Sequence, residues 1–208
     1  MIKTKKPVHV GIYDTWADWE AGHAIAHLRA ERFHREPGGY EIVTVGLSTE
    51  PITTMGGLRV VPDLVLEDLT PAASTMLILP GAELWDAGDA LAPFARAARA
   101  FLDAGVPVAA ICGATAGLAR EGLFDDRDHT SAALPYLEAQ PGYGGAKHYL
   151  DRDAVTDGDL ITAGPTEPVA FAREILGRLD TYRPEVLDAW YRLFGKSDPS
   201  AFSVLMSA

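Results

Sequence analysis

Cys112 is the single cysteine of the chain. It lies in the run Ile111-Cys112-Gly113-Ala114-Thr115-Ala116-Gly117, between an apolar stretch and a helical one. One cysteine can form neither an internal disulfide nor a Cys-rich metal site. Two readings remain for it. It is a small buried apolar residue, as free cysteines often are, or it is a reactive thiol. Small residues on both sides are what a sharp strand-to-helix turn requires, and such a turn pushes its side chain out at the top of a sheet. The helix that follows aims its first N–H groups at the sulfur, which favours the thiolate and could also hold an oxyanion.

Two further segments carry groups that such a thiol could use. Asp14-Thr15-Trp16-Ala17-Asp18-Trp19-Glu20 follows the first apolar run. An ionised carboxylate beside the sulfur would oppose thiolate formation. A protonated one, with its pKa raised by burial, would donate a hydrogen bond to it. The alternative for Asp18 and Glu20 is a pair of solvated residues in the first turn of a helix. Leu77-Ile78-Leu79-Pro80-Gly81-Ala82-Glu83-Leu84-Trp85 is the second segment. A strand ending in Pro80-Gly81 can turn backbone N–H groups toward an oxygen near Cys112, or it is an ordinary βα turn.

The elements that must position these residues follow from the apolar pattern. Val8–Tyr13, Tyr40–Val45, Thr75–Leu79, Val106–Ile111 and Leu160–Ala163 read as short buried strands, with a further short strand around Thr130. Helical spacing covers Asp18–Phe33, Leu91–Leu102, Ala114–Glu121, Ala133–Ala139, Pro168–Leu179 and Pro184–Phe194. Thr166 opens the helix at Pro168, with Glu167 in its first turn. Gly56-Gly57 marks a hairpin between Pro51–Met55 and Leu58–Val61. Strands alternating with helices give an α/β fold with a mostly parallel sheet covered on both faces. In such sheets ligands bind at the carboxyl ends of the strands, where Cys112 and both other segments fall.

A chain of 208 residues makes one domain. Residues 1–181 are read as that domain, and 182–208 as a helical extension packed on it or at a dimer interface. Lys and Arg total 18 against 29 Asp and Glu, a net charge of -11. Phosphate and anionic lipid binding rest on clustered cations, so nucleic-acid and membrane partners are excluded as main partners. No apolar run approaches the roughly 20 residues that span a bilayer. The start carries three lysines but no signal-peptide core. A cytoplasmic protein with a reduced thiol is expected, with no cofactor and no metal.

The Asp18-Trp19-Glu20 segment, the Leu79-Pro80-Gly81 turn and the Ala109-Ala110-Ile111-Cys112-Gly113 elbow, in this order, resemble the ThiJ/PfpI family of the class I glutamine amidotransferase-like superfamily. His129-Thr130-Ser131 and Leu160–Ala163 leading into Gly164-Pro165-Thr166 support the resemblance. It implies a flavodoxin-like sandwich, usually a homodimer. It implies that Cys112 is the reactive cysteine, that Glu20 is hydrogen-bonded to it, and that the N–H groups of Ala82 and Gly113, beside the Gly81 turn, form an oxyanion pocket. Known members include peptidases, glyoxalase- or deglycase-like enzymes, isonitrile hydratases, chaperones and oxidation sensors, so the fold and nucleophile are better fixed than the reaction.

Two positions depart from the family's pattern. Gly113 stands where the peptidase branch has a His directly after the nucleophile, and Ala132 stands where another branch has one after the Thr-Thr or Thr-Ser pair. His129 and His23 are the auxiliary candidates, with Asp18. At its odd offset on a strand His129 would point away, whereas His23 lies one helical turn after Glu20. Without an imidazole to protonate a leaving amine, peptide hydrolysis is disfavoured. The expected function is hydrolysis or hydration of a small electrophile by Cys112, with Glu20 shuttling the proton. The alternatives are an oxidation sensor or a chaperone whose cysteine is not catalytic.

Overall fold

The computed structural model describes residues 7–208, so the lysine-bearing start lies outside the described residues. β1 (Val8–Gly11) leads through a long turn into α1 (Gly22–Arg29). β2 (Ile42–Gly46), the hairpin of β3 (Ile52–Thr53) and β4 (Arg59–Val60), and β5 (Leu64–Val65) follow. Next come β6 (Met76–Leu79), α2 (Ala92–Asp103), β7 (Val108–Ile111), α3 (Gly113–Arg120) and α4 (Leu134–Glu138). The chain ends with β8 (Ala154–Asp157), β9 (Leu160–Ala163), α5 (Pro168–Arg178), α6 (Pro184–Lys196) and α7 (Phe202–Met206).

Seven strands form one sheet in the order β5-β2-β1-β6-β7-β9-β8. All pairs are parallel except the antiparallel edge strand β8. This is the flavodoxin-like α/β sandwich that the alternation of strands and helices predicts. Side chains on a strand alternate between faces, and here both faces are covered. Met76 and Ile78 point into one core with Phe171, Ile175 and Trp190, while Leu77 and Leu79 point into the other with Phe94, Phe101 and Leu118. Four consecutive buried residues in each of β1, β6, β7 and β9 follow from that double cover.

The connection from β1 runs one way to β2, and the later strands run the other way through β6 and β7. The reversal leaves a crevice at the carboxyl ends of β1, β6 and β7, the place where open α/β sheets take ligands.

Several predicted elements shift. The helix expected over Asp18–Phe33 begins only at Gly22, because the residues before it form the turn that carries Glu20. No strand forms around Thr130; His129 makes an isolated bridge to Tyr149 instead. Thr166 does not cap α5: its hydroxyl donates to the Glu167 carboxylate, and Glu167 is the cap residue. β5 and β8 have no clear sequence signature, being two half-buried residues and an Ala-Val-Thr-Asp run.

Candidate active site

Cys112 sits between β7 and α3 with φ +57° and ψ −128°, a backbone conformation that L residues seldom adopt. Its N–H donates to Ala163 O of β9 at 3.1 Å, which continues the sheet ladder to the last residue before the turn. The Thr115 hydroxyl donates to the Cys112 carbonyl at 2.6 Å and also meets the Ser131 hydroxyl at 2.6 Å. These bonds hold a strained residue in place. Cys112 itself is only half-buried.

Gly81 is where the other two segments meet the elbow. Its N–H donates to Glu20 Oε2 at 2.5 Å. A Cβ there would lie 2.7 Å from that oxygen, 2.8 Å from Cys112 Cβ and 3.1 Å from Cys112 Sγ. Only glycine lets the three groups converge. The turn after β1 is fixed to the turn after β6 by Ala17 N–H to Gly81 O at 3.0 Å and by the Trp16–Ala82 bridge. Beneath it, the Tyr13 hydroxyl donates to Pro80 O, and Trp85 Nε1 lies 3.0 Å from that hydroxyl and 3.1 Å from the same carbonyl. The Trp85 ring is fully buried against Gly117, in space that any Cβ at that position would fill.

Glu20 is fully buried, its Oε1 has no hydrogen-bond partner, and the Cys112 thiol hydrogen-bonds to its carboxylate. Burial pushes its carboxyl up to about 7, against the opposing pull of the Gly81 N–H and the Cys112 thiol. Cys112 is pushed up to about 12, first by burial and then by the charge and hydrogen bonding of Glu20. The Gly113 N–H favours the thiolate but is outweighed. The sequence leads to the expectation of a thiolate held by backbone dipoles and by a hydrogen bond from Glu20. The thiol's own burial, with the charge of Glu20 added to it, opposes that expectation, and above pH 7 the pair rests as carboxylate and thiol.

The remaining sequence candidates divide. Gly81 does not offer its N–H to an oxyanion, because Glu20 occupies it. Gly113 packs beside Ala82 O and Trp85 Cβ, each 3.1 Å from where its Cβ would be, so both expected oxyanion residues border the same corner. Asp18 turns away and accepts from the Gly56 N–H at 2.6 Å, tying down the β3–β4 hairpin. His129 is fully buried on the Phe124 ring, with Nδ1 at 2.8 Å from Arg127 O and Nε2 at 2.8 Å from the Tyr143 hydroxyl. Both of its nitrogens are committed. His23 packs against His27, Trp190 and Phe194 on the far side of α1. Neither imidazole serves the thiol. Trp85 is packing, and Trp19 is half exposed at 51%.

Sequence reasoning missed Thr115, Ser131 and the Asp86–Tyr136 hydrogen bond of 2.7 Å. Thr115 had a local signal, since a Thr three residues into a helix often bonds back to the preceding carbonyl. Asp86 and Tyr136 had none, being 50 residues apart. Among the described residues, no group of three or more His, Cys, Asp or Glu side chains is placed to hold a metal ion, and no helix is long and apolar enough to cross a membrane.

Comparison with known proteins agrees with the geometry. A family model described as the DJ-1/PfpI family matches residues 6–178. YoaZ, an uncharacterized protease of Bacillus subtilis (strain 168), is 39% identical over 208 residues, 99% of this chain and 98% of the relative. The crystal structure of a thiJ/pfpI family protein from Bacillus anthracis superposes with a TM-score of 0.92 at 38% identity, covering 97% of this chain and 96% of the other. The glutathione-independent glyoxalase DJR-1.2 of Caenorhabditis elegans is 26% identical over 144 residues, 69% of this chain and 75% of the relative.

Proposed function

The chain belongs to the DJ-1/PfpI family, and from that membership we propose a cysteine-dependent enzyme that hydrolyses or hydrates a small electrophilic molecule. The observation that carries the reading is the convergence of Glu20 and Cys112 on the glycine at position 81. The substrate classes that fit are amides, thioesters, reactive carbonyls and isonitriles, all of which present an electrophilic carbon to sulfur.

In the first step Cys112 Sγ attacks that carbon. The S–C bond forms, the π electron pair moves to the substrate's heteroatom, and the thiol proton passes to Glu20. The transfer is less uphill than the resting values of about 12 and about 7 suggest. Once Glu20 takes the proton, its charge no longer opposes the sulfur, and its O–H donates where its carboxylate accepted. The Ala82–Gly113 corner of the elbow is where the developing negative charge falls. With an amide or thioester, Glu20 returns the proton to the leaving amine or thiol as its bond to carbon breaks. Water, giving a proton to Glu20, then splits the S–C bond while that proton goes back to the sulfur. With a carbonyl or isonitrile, water adds to the carbon as the S–C bond breaks and Glu20 returns the proton.

Relatives named as a protease and as a glyoxalase would share this first sulfur–carbon step, so their names do not separate the reactions. Peptide hydrolysis is the less favoured choice here, because both His129 nitrogens are bonded elsewhere and His23 lies in an aromatic cluster.

A panel of small thioesters, amides, α-oxoaldehydes and isonitriles tests the proposal. Turnover of at least one class is expected, abolished in Cys112→Ala and rising with pH through about 7 as Glu20 ionises. Glu20→Gln should lose turnover, because a base is required. If Glu20→Gln retains it, Glu20 acts only as a hydrogen-bond donor to a thiolate. If no class is turned over, the protein is not such an enzyme.

A further inference from the structure

One charged group beside the elbow has no part in the chemistry above. Asp86 ends the short 3-10 turn Glu83–Trp85, which starts from Ala82. That turn lies against the first residue of α3: a Cβ on Gly113 would come within 3.1 Å of Trp85 Cβ. Asp86 is therefore held one residue beyond a contact made by the neighbour of Cys112. From the other side, α4 brings Tyr136, whose hydroxyl donates to Asp86 Oδ1 at 2.7 Å. Burial, together with the Asp86 charge and hydrogen bond, holds the phenol above its usual range, so it stays a donor at any working pH.

Arg120 reaches this corner with its charge intact, but its hydrogen bonds go to groups other than Asp86. Arg120 donates to Trp85 O at 2.8 Å and to Gln140 Oε1 at 2.7 Å. Among the described residues no ion pair joins Asp86 to a cation. A surface carboxylate would ordinarily wave in solvent; this one is held in orientation by the Tyr136 hydroxyl. Its field reaches the sulfur, since Asp86 adds to the forces that hold the Cys112 thiol protonated. An incoming carboxylate would meet Asp86 at the rim and Glu20 at the base. An ammonium or guanidinium would pair with Asp86, and a neutral group would lose nothing.

We infer that Asp86, clamped by Tyr136, is the specificity-determining group at the mouth of the Cys112 site, admitting electrophiles with a cationic or neutral end and rejecting those with a carboxylate. This rests on the reading of Cys112 as the group that attacks substrate. The test is chosen to be independent of turnover. Two methanethiosulfonate reagents of similar size, one carrying a trimethylammonium group and the other a sulfonate, are reacted with the whole protein. In each case the Cys112 sulfur attacks the sulfenyl sulfur, a disulfide forms, methanesulfinate leaves and the thiol proton goes to Glu20 or water.

The ratio of cationic to anionic labelling rates should exceed that of a free cysteine peptide. Asp86→Asn should lower it roughly fivefold, the effect of one partly screened charge. Tyr136→Phe should lower it less, by freeing the carboxylate to swing away. Raised salt should shrink the difference in the parent protein and leave Asp86→Asn nearly unchanged. The inference is overturned if Asp86→Asn folds with an unaltered melting temperature and an unaltered ratio, or if neither reagent reaches Cys112. A panel without turnover, alongside a ratio that responds to Asp86, would instead sink the enzymatic reading while leaving the charged mouth in place.

Discussion

Two regions of this molecule bury titratable side chains, and they finish the task differently. In the elbow, Glu20 is fully buried with Oε2 bonded to the Gly81 N–H and Oε1 left without a hydrogen-bond partner. Between α1 and α6, His27 is also covered, but every polar atom of its ring has a fixed partner. Trp190 Nε1 donates to His27 Nε2 at 3.1 Å, and His27 Nδ1 lies 3.0 Å from the Tyr182 hydroxyl. His34 Nε2 reaches the His27 carbonyl at 2.7 Å, while His23, Trp190 and Phe194 pack around the ring. Indole N–H can only donate, so Nε2 must be bare and the proton must sit on Nδ1. Burial shifts both groups by about the same amount, Glu20 up to about 7 and His27 down to about 4. A perturbed pKa therefore does not distinguish a site from a brace; an unfinished hydrogen-bond set beside a nucleophile does.

The sharpest way to break that distinction is to fill the space where the elbow's groups converge. Gly81→Ala places a methyl group 2.7 Å from Glu20 Oε2 and 2.8 Å from Cys112 Cβ. Both neighbours belong to fixed turns, so one of them must move. Turnover in the substrate panel should fall on the order of a hundredfold or more, the usual result when a reacting pair is misplaced by about an ångström. Unfolding in urea should also show a loss of roughly 1–3 kcal/mol from overpacking. A Gly81→Ala protein with parent kinetics would mean that the spacing of Glu20 and Cys112 is irrelevant to function.

Removing the charge without changing the shape gives the next effect, and its sign is unusual. The folded pKa of Glu20, about 7, lies above its ordinary value of 4.5. The folded state therefore holds the proton more tightly, and ionisation costs stability as pH rises from 4.5 to 7 and no further above that. Glu20→Gln should stabilise the protein at pH 8 by up to about 3 kcal/mol and by almost nothing at pH 4.5. Urea midpoints at the two pH values measure this. An active-site group whose removal stabilises the fold is the mark of a residue kept for chemistry. If Glu20→Gln destabilises at pH 8, Glu20 is a brace like His27.

The sequence carried much of this arrangement and failed in definable places. The four central strands and the elbow were legible because a doubly covered sheet leaves nearly unbroken apolar runs, and because Cys112-Gly113 between a strand and a helix has few structural meanings. Glu20 was legible as a partner of Cys112 through its place in the family pattern. Its geometry was not, since helical periodicity continued back to Asp18 and concealed the turn that buries the carboxyl. The resting thiol was unreadable because it depends first on how deeply Cys112 itself is buried and then on the charge of Glu20 beside it, and pattern does not report depth. His129 was placed on a strand that does not form, though its side chain does point away from the thiol. Asp86 and Tyr136 meet only through the packing of α4 over α3, so nothing local announces them.

The smallest effect concerns the other half of the comparison. His27 has a folded pKa of about 4 against an ordinary value of 6.5, lowered by burial and then by His23 and His34. The unfolded chain therefore binds the extra proton more readily. Stability is fully present above pH 6.5 and is lost as pH falls toward 4, the opposite direction from Glu20. Protonation would also set two donors, His27 Nε2 and Trp190 Nε1, against each other across 3.1 Å. His27 is partly exposed, so the loss is discounted to about 2 kcal/mol. His27→Gln should lower stability at pH 7 by removing the brace, yet show a shallower decline between pH 6.5 and 4.5 than the parent. Turnover per folded molecule should stay at the parent value, because His27 meets nothing at the elbow. An acid slope unchanged in His27→Gln would place the titration on another group, and a fall in turnover would join the two regions that the structure keeps apart.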